Sequence, residues 1–219
     1  MKLSKKELRR QRMMVYFIDA AREIIDKEGI EALTIRKVAD MAGYNSATIY
    51  NYFTNLDHLI SYVAIRDLKE YYLSLAEYIK NTENSYERFL MIWEKFCIHS
   101  FESPEIYRVV FFSNQSIADI FFDYYRIYQS EFGEHKNPTL AMLSEQNIYA
   151  RNKAILTPLA EDGFLNSSDL DEVNDYIISL YRGILALIID NKNSEKADIQ
   201  EEMKKTLKYI KRILESYRP

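Results

Sequence analysis

The chain is predicted to be all-α, and three observations carry the prediction. Five Gly and four Pro in 219 residues are too few turn-formers for a sandwich or barrel of short strands. Apolar residues make up 47 % of the chain and recur at helical spacings, with no sustained period-two alternation and no strand–helix–strand rhythm. Caps and breakers cut this pattern into helix-length pieces.

The first helix is expected over about 4–28, because Ser4 and Glu7 form a capping-box pattern and Gly29 supplies the stop. Its Val15, Phe17, Ile18, Ala21, Ile24 and Ile25 would cover two short helices that follow. Thr34 caps the first of these, whose Ile35, Val38, Ala39 and Ala42 fall on one face. After Ala42-Gly43-Tyr44, Asn45 caps the second, with Ala47, Ile49 and Phe53 turned inward. Gly43 suits the left-handed turn between them, having no Cβ to clash there. Asn55 caps a long helix over about 56–80. Further helices are expected over 86–102, 105–112, 117–132 and 138–161, the last running through Pro158 to a stop at Gly163. A Ser168/Asp171 capping pattern precedes 170–191, and Asn193 with Ser194 opens a last helix over 195–217. No repeat, low-complexity tract or flexible linker interrupts the chain. A small unit at 1–58 is therefore expected to join a larger one at 59–219 through continuous helix.

Net charge is −4, but its distribution is uneven. Residues 1–12 hold six Lys or Arg against the single acid Glu7, whereas 58–219 hold 19 bases and 25 acids. Positive charge is thus concentrated where a leading arm and first helix would meet phosphates. The single cysteine, Cys97, excludes an intramolecular disulfide and a thiolate metal cluster. The charged N-terminus has no apolar signal-like run, and the longest apolar stretch, 177–189, is interrupted and too short for a bilayer. A cytoplasmic protein without membrane contact is expected. His58, His99 and His135 stand far apart, with no HExxH, Walker loop, EF-hand loop or GxSxG elbow. The pattern therefore argues against an all-α enzyme and offers no catalytic residue, metal site or cofactor.

Residues 34–59, TIRKVADMAGYNSATIYNYFTNLDHL, hold the functional signal. The second short helix would present Ser46, Thr48, Tyr50, Asn51 and Tyr52 outward, a polar, hydroxyl-rich face suited to a major groove. The order of Thr34, Arg36, Lys37, Val38, Ala39, Gly43, Tyr44, Thr48 to Phe53, Asn55 and Leu59 resembles the DNA-binding domain of TetR-type transcriptional regulators, over about residues 10–62. The resemblance implies a helix-turn-helix head on a helical ligand-binding and dimerisation body. It also implies a palindromic double-stranded operator bound by a homodimer. Expected DNA-binding residues are Lys5, Arg9, Arg12, Thr34, Arg36, Lys37, Asn45, Ser46, Ala47, Thr48, Tyr50, Asn51 and Tyr52. Arg36 falls where a relative reads guanine, and Ala47 offers a methyl to thymine. The chain departs from many relatives at Leu56, where a phosphate-binding Lys is usual; the helix N-terminus can still donate backbone N–H groups there.

The larger unit is rich in aromatic residues. Trp93, Phe96, Cys97, Phe111, Phe121 and Tyr125 could line an apolar cavity, with His99, Gln115, Asn147 and Arg151 orienting a ligand, or the same residues could fill a solid core. The resemblance implies a small-molecule effector there, hydrophobic or aromatic; control by a protein partner, or no effector at all, stays open. Ile177, Tyr181, Ile184 and Ile188, with Met203, Leu207, Ile210 and Leu214, form apolar stripes on the last two helices. Further apolar positions on other sides, including Leu180 and Leu187, require a second partner. A symmetric four-helix dimer supplies one.

Overall fold

Every α-helix of the N-terminal third starts where the sequence offers a side-chain acceptor to its first free N–H groups. The computed structural model describes residues 4–112, 145, 147–191 and 198–219, and among these the chain forms nine α-helices and no strand. In α1 (Lys5–Glu28) the Ser4 hydroxyl accepts from the Glu7 N–H at 3.2 Å and the Glu7 carboxylate accepts from the Ser4 N–H at 2.8 Å. Thr34 caps α2 (Ile35–Ala42), Asn45 caps α3 (Ser46–Tyr50) and Asn55 caps α4 (Leu56–Tyr78). Asn84 caps α5 (Ser85–Glu102), and α6 (Pro104–Phe112) follows after Ser103. The remaining helices are α7 (Ile148–Glu161), α8 (Leu170–Asn191) and α9 (Ile199–Ser216).

Three predicted starts are corrected by local hydrogen bonding. Helix α7 begins at Ile148, ten residues after Pro138, because Asn147 is extended and its side chain accepts from the Ala150 N–H at 2.9 Å. No Ser168/Asp171 box precedes α8. Instead the Ser168 hydroxyl donates to Asp169, within a 3-10 turn (Ser167–Asp169) that leads straight into the helix. Helix α9 starts at Ile199, since the Asp198 carboxylate accepts from the N–H groups of Gln200 and Glu201. Asn193, Ser194, Glu195, the helix predicted over 117–132 and residues 138–144 of the next one lie outside the described residues.

Helix α1 packs on α2 and α4, forming a small head. Phe17 sits at its centre, edge-on to Tyr44 at 5.5 Å and Phe53 at 6.4 Å, above fully buried Val38, Ala39 and Ile49. Ala20 and Met14 complete the buried face of α1, whereas Val15 is only half-buried. Helix α4 runs out of the head without a break and packs on α5 and α6 in the body. Its Leu59, Val63, Leu68, Tyr71 and Leu75 belong to one contiguous apolar core with both parts. An Arg66–Asp19 ion pair adds a tie between α4 and α1.

In the body, α5 lies against α7 and α9, and α8 against α6, α7 and α9. This packing reassigns the stripes expected to dimerise. Ile177, Tyr181, Ile184, Ile188, Met203, Ile210 and Leu214 are all buried within one protomer, and Leu207 is half-buried. Tyr181 alone meets the rings of Trp93 at 5.5 Å and Phe96 at 5.1 Å. The stripes are intramolecular because both helices turn their most regular apolar faces toward the aromatic residues of α5 and α6. The face left open on α8 is Tyr176, Leu180, Gly183, Ala186 and Leu187, with Tyr176 and Leu187 more than half exposed or at half, at 50 % and 56 %.

Gly43 ends α2 at φ 75° and ψ 28°, and its N–H and that of Tyr44 bond back to Asp40 and Ala39. A Cβ there would meet nothing within 4 Å, so the cost of a substitution is one of backbone conformation alone. Gly43→Ala should lower unfolding stability by about 1–2 kcal/mol without changing the helical signal. Chemical denaturation followed by circular dichroism checks this, and an unchanged midpoint would show that the turn does not need a left-handed residue.

Candidate nucleic-acid interface and effector chamber

A helix of five residues cannot hold itself together, since nucleation costs more than its few hydrogen bonds return. Helix α3 is instead held at three places. Asn45 caps its start, with Oδ1 accepting from the Thr48 N–H at 2.9 Å and from the Thr48 hydroxyl at 3.0 Å. Ile49 anchors its inner side in the core. At its end, the Arg10 guanidinium of α1 donates to the Asn51 carbonyl at 2.9 Å and the Tyr52 carbonyl at 3.5 Å, and lies 5.2 Å above the Tyr52 ring. A cation at this end also complements the helix dipole.

What faces outward is therefore defined. Ala47 and Tyr50 are exposed, Ser46 and Thr48 half-exposed, and Tyr50 is 56 % open. Ala47, expected inward for packing, faces solvent; Ile49 alone fills the inner side of the short helix. Tyr52 differs from expectation. Its ring packs 5.6 Å from Phe17 beneath Arg10, so it is half-buried and braces the head. Arg36 on α2 is 89 % exposed, and its nearest carboxylate, Asp40, is 3.9 Å away. Lys37 is held by Glu28 at 2.5 Å, and the Thr34 hydroxyl caps α2 by accepting from the Lys37 N–H. Lys5, Arg9 and Arg12 are exposed in the first turns of α1, so these residues ride on a helix rather than on a loose arm. Through Arg10 that basic helix start lies beside the end of α3.

A second feature lies in the body. A cavity of about 40 Å³ is lined by Leu68 and Tyr71 of α4, Ile92, Trp93 and Phe96 of α5, Phe111 of α6, and Ile148, Arg151, Asn152 and Ile155 of α7. Of the expected ligand residues, Trp93, Phe96, Phe111 and Arg151 reach it. Cys97 is buried beside it, its thiol pushed up by desolvation, and His99 packs edge-on to Tyr71 at 5.5 Å; neither belongs to the wall. Asn147 caps α7 and does not line this cavity. Gln115, Phe121 and Tyr125 lie outside the described residues. Sequence reading missed Leu68, Tyr71 and Ile92, and also Ile148, Asn152 and Ile155, which share the face of Arg151 on α7 at helical spacing. Reading Asn147 as the cap would have set that phase.

The Trp93 indole N–H donates to Asn152 Oδ1 at 2.9 Å, Asn152 donates to Asn174 Oδ1 at 2.9 Å, and Asn174 donates to the Tyr149 carbonyl at 3.1 Å. Arg151 is buried, donates through Nε to the Glu145 carbonyl at 3.4 Å, and stands 5.4 Å from the Phe111 ring centre. Burial lowers its pKa to about 10 against the pull of Tyr71, Glu145 and Tyr107, which still leaves it charged at neutral pH. Among the described residues, no three His, Cys, Asp or Glu are grouped to hold a metal, and no helix is long and apolar enough to cross a membrane.

A capped short helix held against an apolar three-helix head, on a longer helical body, is the arrangement of a helix-turn-helix DNA-binding head carried by a helical body. Residues 17–63 match the family described as bacterial regulatory proteins, tetR family. No curated protein matches the chain in sequence. Its fold is similar along nearly its whole length to RolR in complex with resorcinol, with a TM-score of 0.60, 17 % identity and 97 % of both chains covered. It is similar also to Thermus thermophilus FadR in complex with lauroyl-CoA, with a TM-score of 0.58, 15 % identity, and 90 % of this chain and 92 % of that one covered. FadR from Bacillus halodurans gives a TM-score of 0.56 at 14 % identity, with 96 % of both chains covered.

Arg36→Ala should weaken duplex binding by about 1–3 kcal/mol, roughly five- to 150-fold, with an unchanged melting temperature. Tyr50→Ala should also weaken binding, since its ring leaves an exposed surface and not a core. Arg10→Ala should behave differently, lowering stability by about 1 kcal/mol because two carbonyls lose their donor. Gel-shift titrations with parallel melting curves separate the two classes, and full-strength binding by both Arg36→Ala and Tyr50→Ala would rule out this face.

Proposed function

We propose that the protein is a transcriptional repressor that grips a palindromic duplex operator as a homodimer and releases it when a small hydrophobic or aromatic molecule enters the body. The observation that carries this reading is the outward face of α3, where Ala47 and Tyr50 are exposed beside a solvent-exposed Arg36. Such a face brings a methyl, hydroxyls and a guanidinium to base edges, while Lys5, Arg9 and Arg12 meet phosphates from α1. The head, 1–58, would thus supply DNA contact, and the body, 59–219, the effector and the dimer contact. The cytoplasm, where duplex DNA is reached directly, is the matching compartment.

Release follows from the helices that the chamber shares with the head. Phe111 of α6 and Leu68 and Tyr71 of α4 line the chamber, and α4 is the helix that carries the head. As described, about 40 Å³ is far below the several hundred Å³ of most ligand pockets, so an effector must part α5, α6 and α7 to enter. A ligand that favours the parted arrangement lowers operator affinity by its differential binding to the two states. The resorcinol of RolR and the lauroyl-CoA of FadR support an aromatic or acyl effector.

The dimer contact is assigned to the open face of α8. Tyr176, Leu180, Gly183 and Leu187 lie within one stripe, and a Cβ on Gly183 would meet nothing within 4 Å in the protomer. A bare glycine on an exposed apolar stripe admits close approach of a second helix. Leu187→Glu should shift sedimentation from dimer to monomer and reduce operator binding at least tenfold, because each head then binds alone. A variant that remains dimeric would move the contact elsewhere.

A further inference from the structure

We infer that the hydrogen bond between Trp93 and Asn152 is the gate of the body chamber, opened by a guest whose hydroxyl inserts between the two side chains. The inference rests on the reading of that chamber as the effector site and adds a ligand class, a flat apolar ring bearing a neutral hydroxyl. Trp93 of α5 and Asn152 of α7 both line the chamber, and each is 3 % exposed. The indole N–H donates to Asn152 Oδ1 at 2.9 Å, so the bond ties together two of the helices that an effector must part. Behind it, α7 grips α8 at two points. Asn152 donates to Asn174 Oδ1 at 2.9 Å, and Asn174 donates to the Tyr149 carbonyl, three residues earlier on α7, at 3.1 Å. Asn174 is itself buried, so water does not compete for these bonds. Two bonds hold Asn174 to α7, whereas the indole has one donor and one bond, so the gate opens at Trp93.

Parting α5 from α7 breaks this bond and leaves a buried donor and a buried acceptor without partners, which costs more than the bond itself contributes. A purely apolar guest leaves both atoms in that state. The indole only donates, so whatever meets it must accept; Asn152 Oδ1 only accepts, so whatever meets it must donate. A hydroxyl does both through one oxygen, whereas a carboxylate or an ether satisfies Trp93 and brings no proton to Asn152. Two hydrogen bonds meeting at one oxygen span about 4.5–5 Å, so insertion widens the 2.9 Å separation by about 2 Å. Tyr71, Phe96 and Phe111 of the same wall offer ring faces and edges to the flat part of the guest. Helix α5 packs on α4, so its displacement would act on the helix that carries the head.

The chain's single tryptophan, Trp93, is one side of the gate and reports on it directly. We would titrate the full-length protein at neutral pH with 4-iodophenol and with 4-iodotoluene, which differ by a hydroxyl in place of a methyl, following heavy-atom quenching of Trp93 fluorescence. The phenol should quench saturably and bind at least about tenfold more tightly than the toluene, as expected when one guest restores two buried hydrogen bonds and the other restores none. Asn152→Leu removes the gate. In that variant 4-iodotoluene should bind more tightly than it does to the wild type, and the preference for the phenol should fall to about twofold or less. Equal wild-type affinities would overturn the inference, and so would a preference of undiminished size in Asn152→Leu, which would place the hydroxyl against another group. Should Asn152→Leu fail to fold, the indole N–H resonance of wild-type Trp93 decides. Saturating 4-iodotoluene should move it upfield as its hydrogen bond is lost, and 4-iodophenol should hold it downfield; the same position with both guests would overturn the gate. Saturable quenching with equal affinities sinks the gate alone and leaves the chamber as a binding site. No saturable quenching by either probe, with operator binding intact in gel shifts, removes the chamber as an effector site and the gate with it.

Discussion

Burial of Ile49 and Phe53 against Phe17 is the constraint on which the rest of the structure depends. A helix as short as Ser46–Tyr50 has no stability of its own, so its orientation is whatever its inner side chains and caps impose. Ile49 fixes its rotation, Asn45 its start and Arg10 its end. With those three fixed, the outward position of Tyr50 and Ala47 is no longer a matter of choice. The DNA-facing surface is thus a by-product of a small apolar core, and its geometry is as rigid as that core.

The same logic extends along α4. One continuous helix carries buried residues from Leu59 in the head to Leu75 in the body, so neither part can shift without the other feeling it. Because α6 supplies Phe111 to the chamber and packs on α4, an occupant of the body, as proposed, would act on the helix that carries the head. Two copies joined through α8 would convert a small rotation of each head into a change in their separation. Half-site spacing on duplex DNA tolerates little such change, which makes separation an effective control.

Much of this was legible in the sequence, and the reasons are local. Ser4 with Glu7, Thr34, Asn45 and Asn55 are strong caps next to apolar faces, and each marks a helix start in the structure. Gly43 marked the left-handed turn for the same reason. Where the true cap lay further along than the first start signal, the pattern misled: Asp198 and Asn147 cap helices that were placed earlier, and Ser168 sits within a 3-10 turn. The stripes on α8 and α9 illustrate a deeper limit. Periodicity shows which residues share a face, but the partner of that face depends on tertiary packing, and here Ile177, Tyr181 and Ile210 turn inward. Tyr52 likewise looked like a DNA ligand by its place, whereas its ring lies beneath Arg10 and against Phe17. Arg151 was legible only as a cation among aromatics; its burial on the chamber side of α7 required the fold.

The most direct measurement of the central claim is selection from a pool of randomised duplexes with the purified protein, followed by sequencing. The account predicts an inverted repeat whose half-sites lie about one helical turn apart, 10 to 10.5 base pairs, or slightly more. Enrichment of a lone asymmetric site, or of no sequence at all, would contradict it.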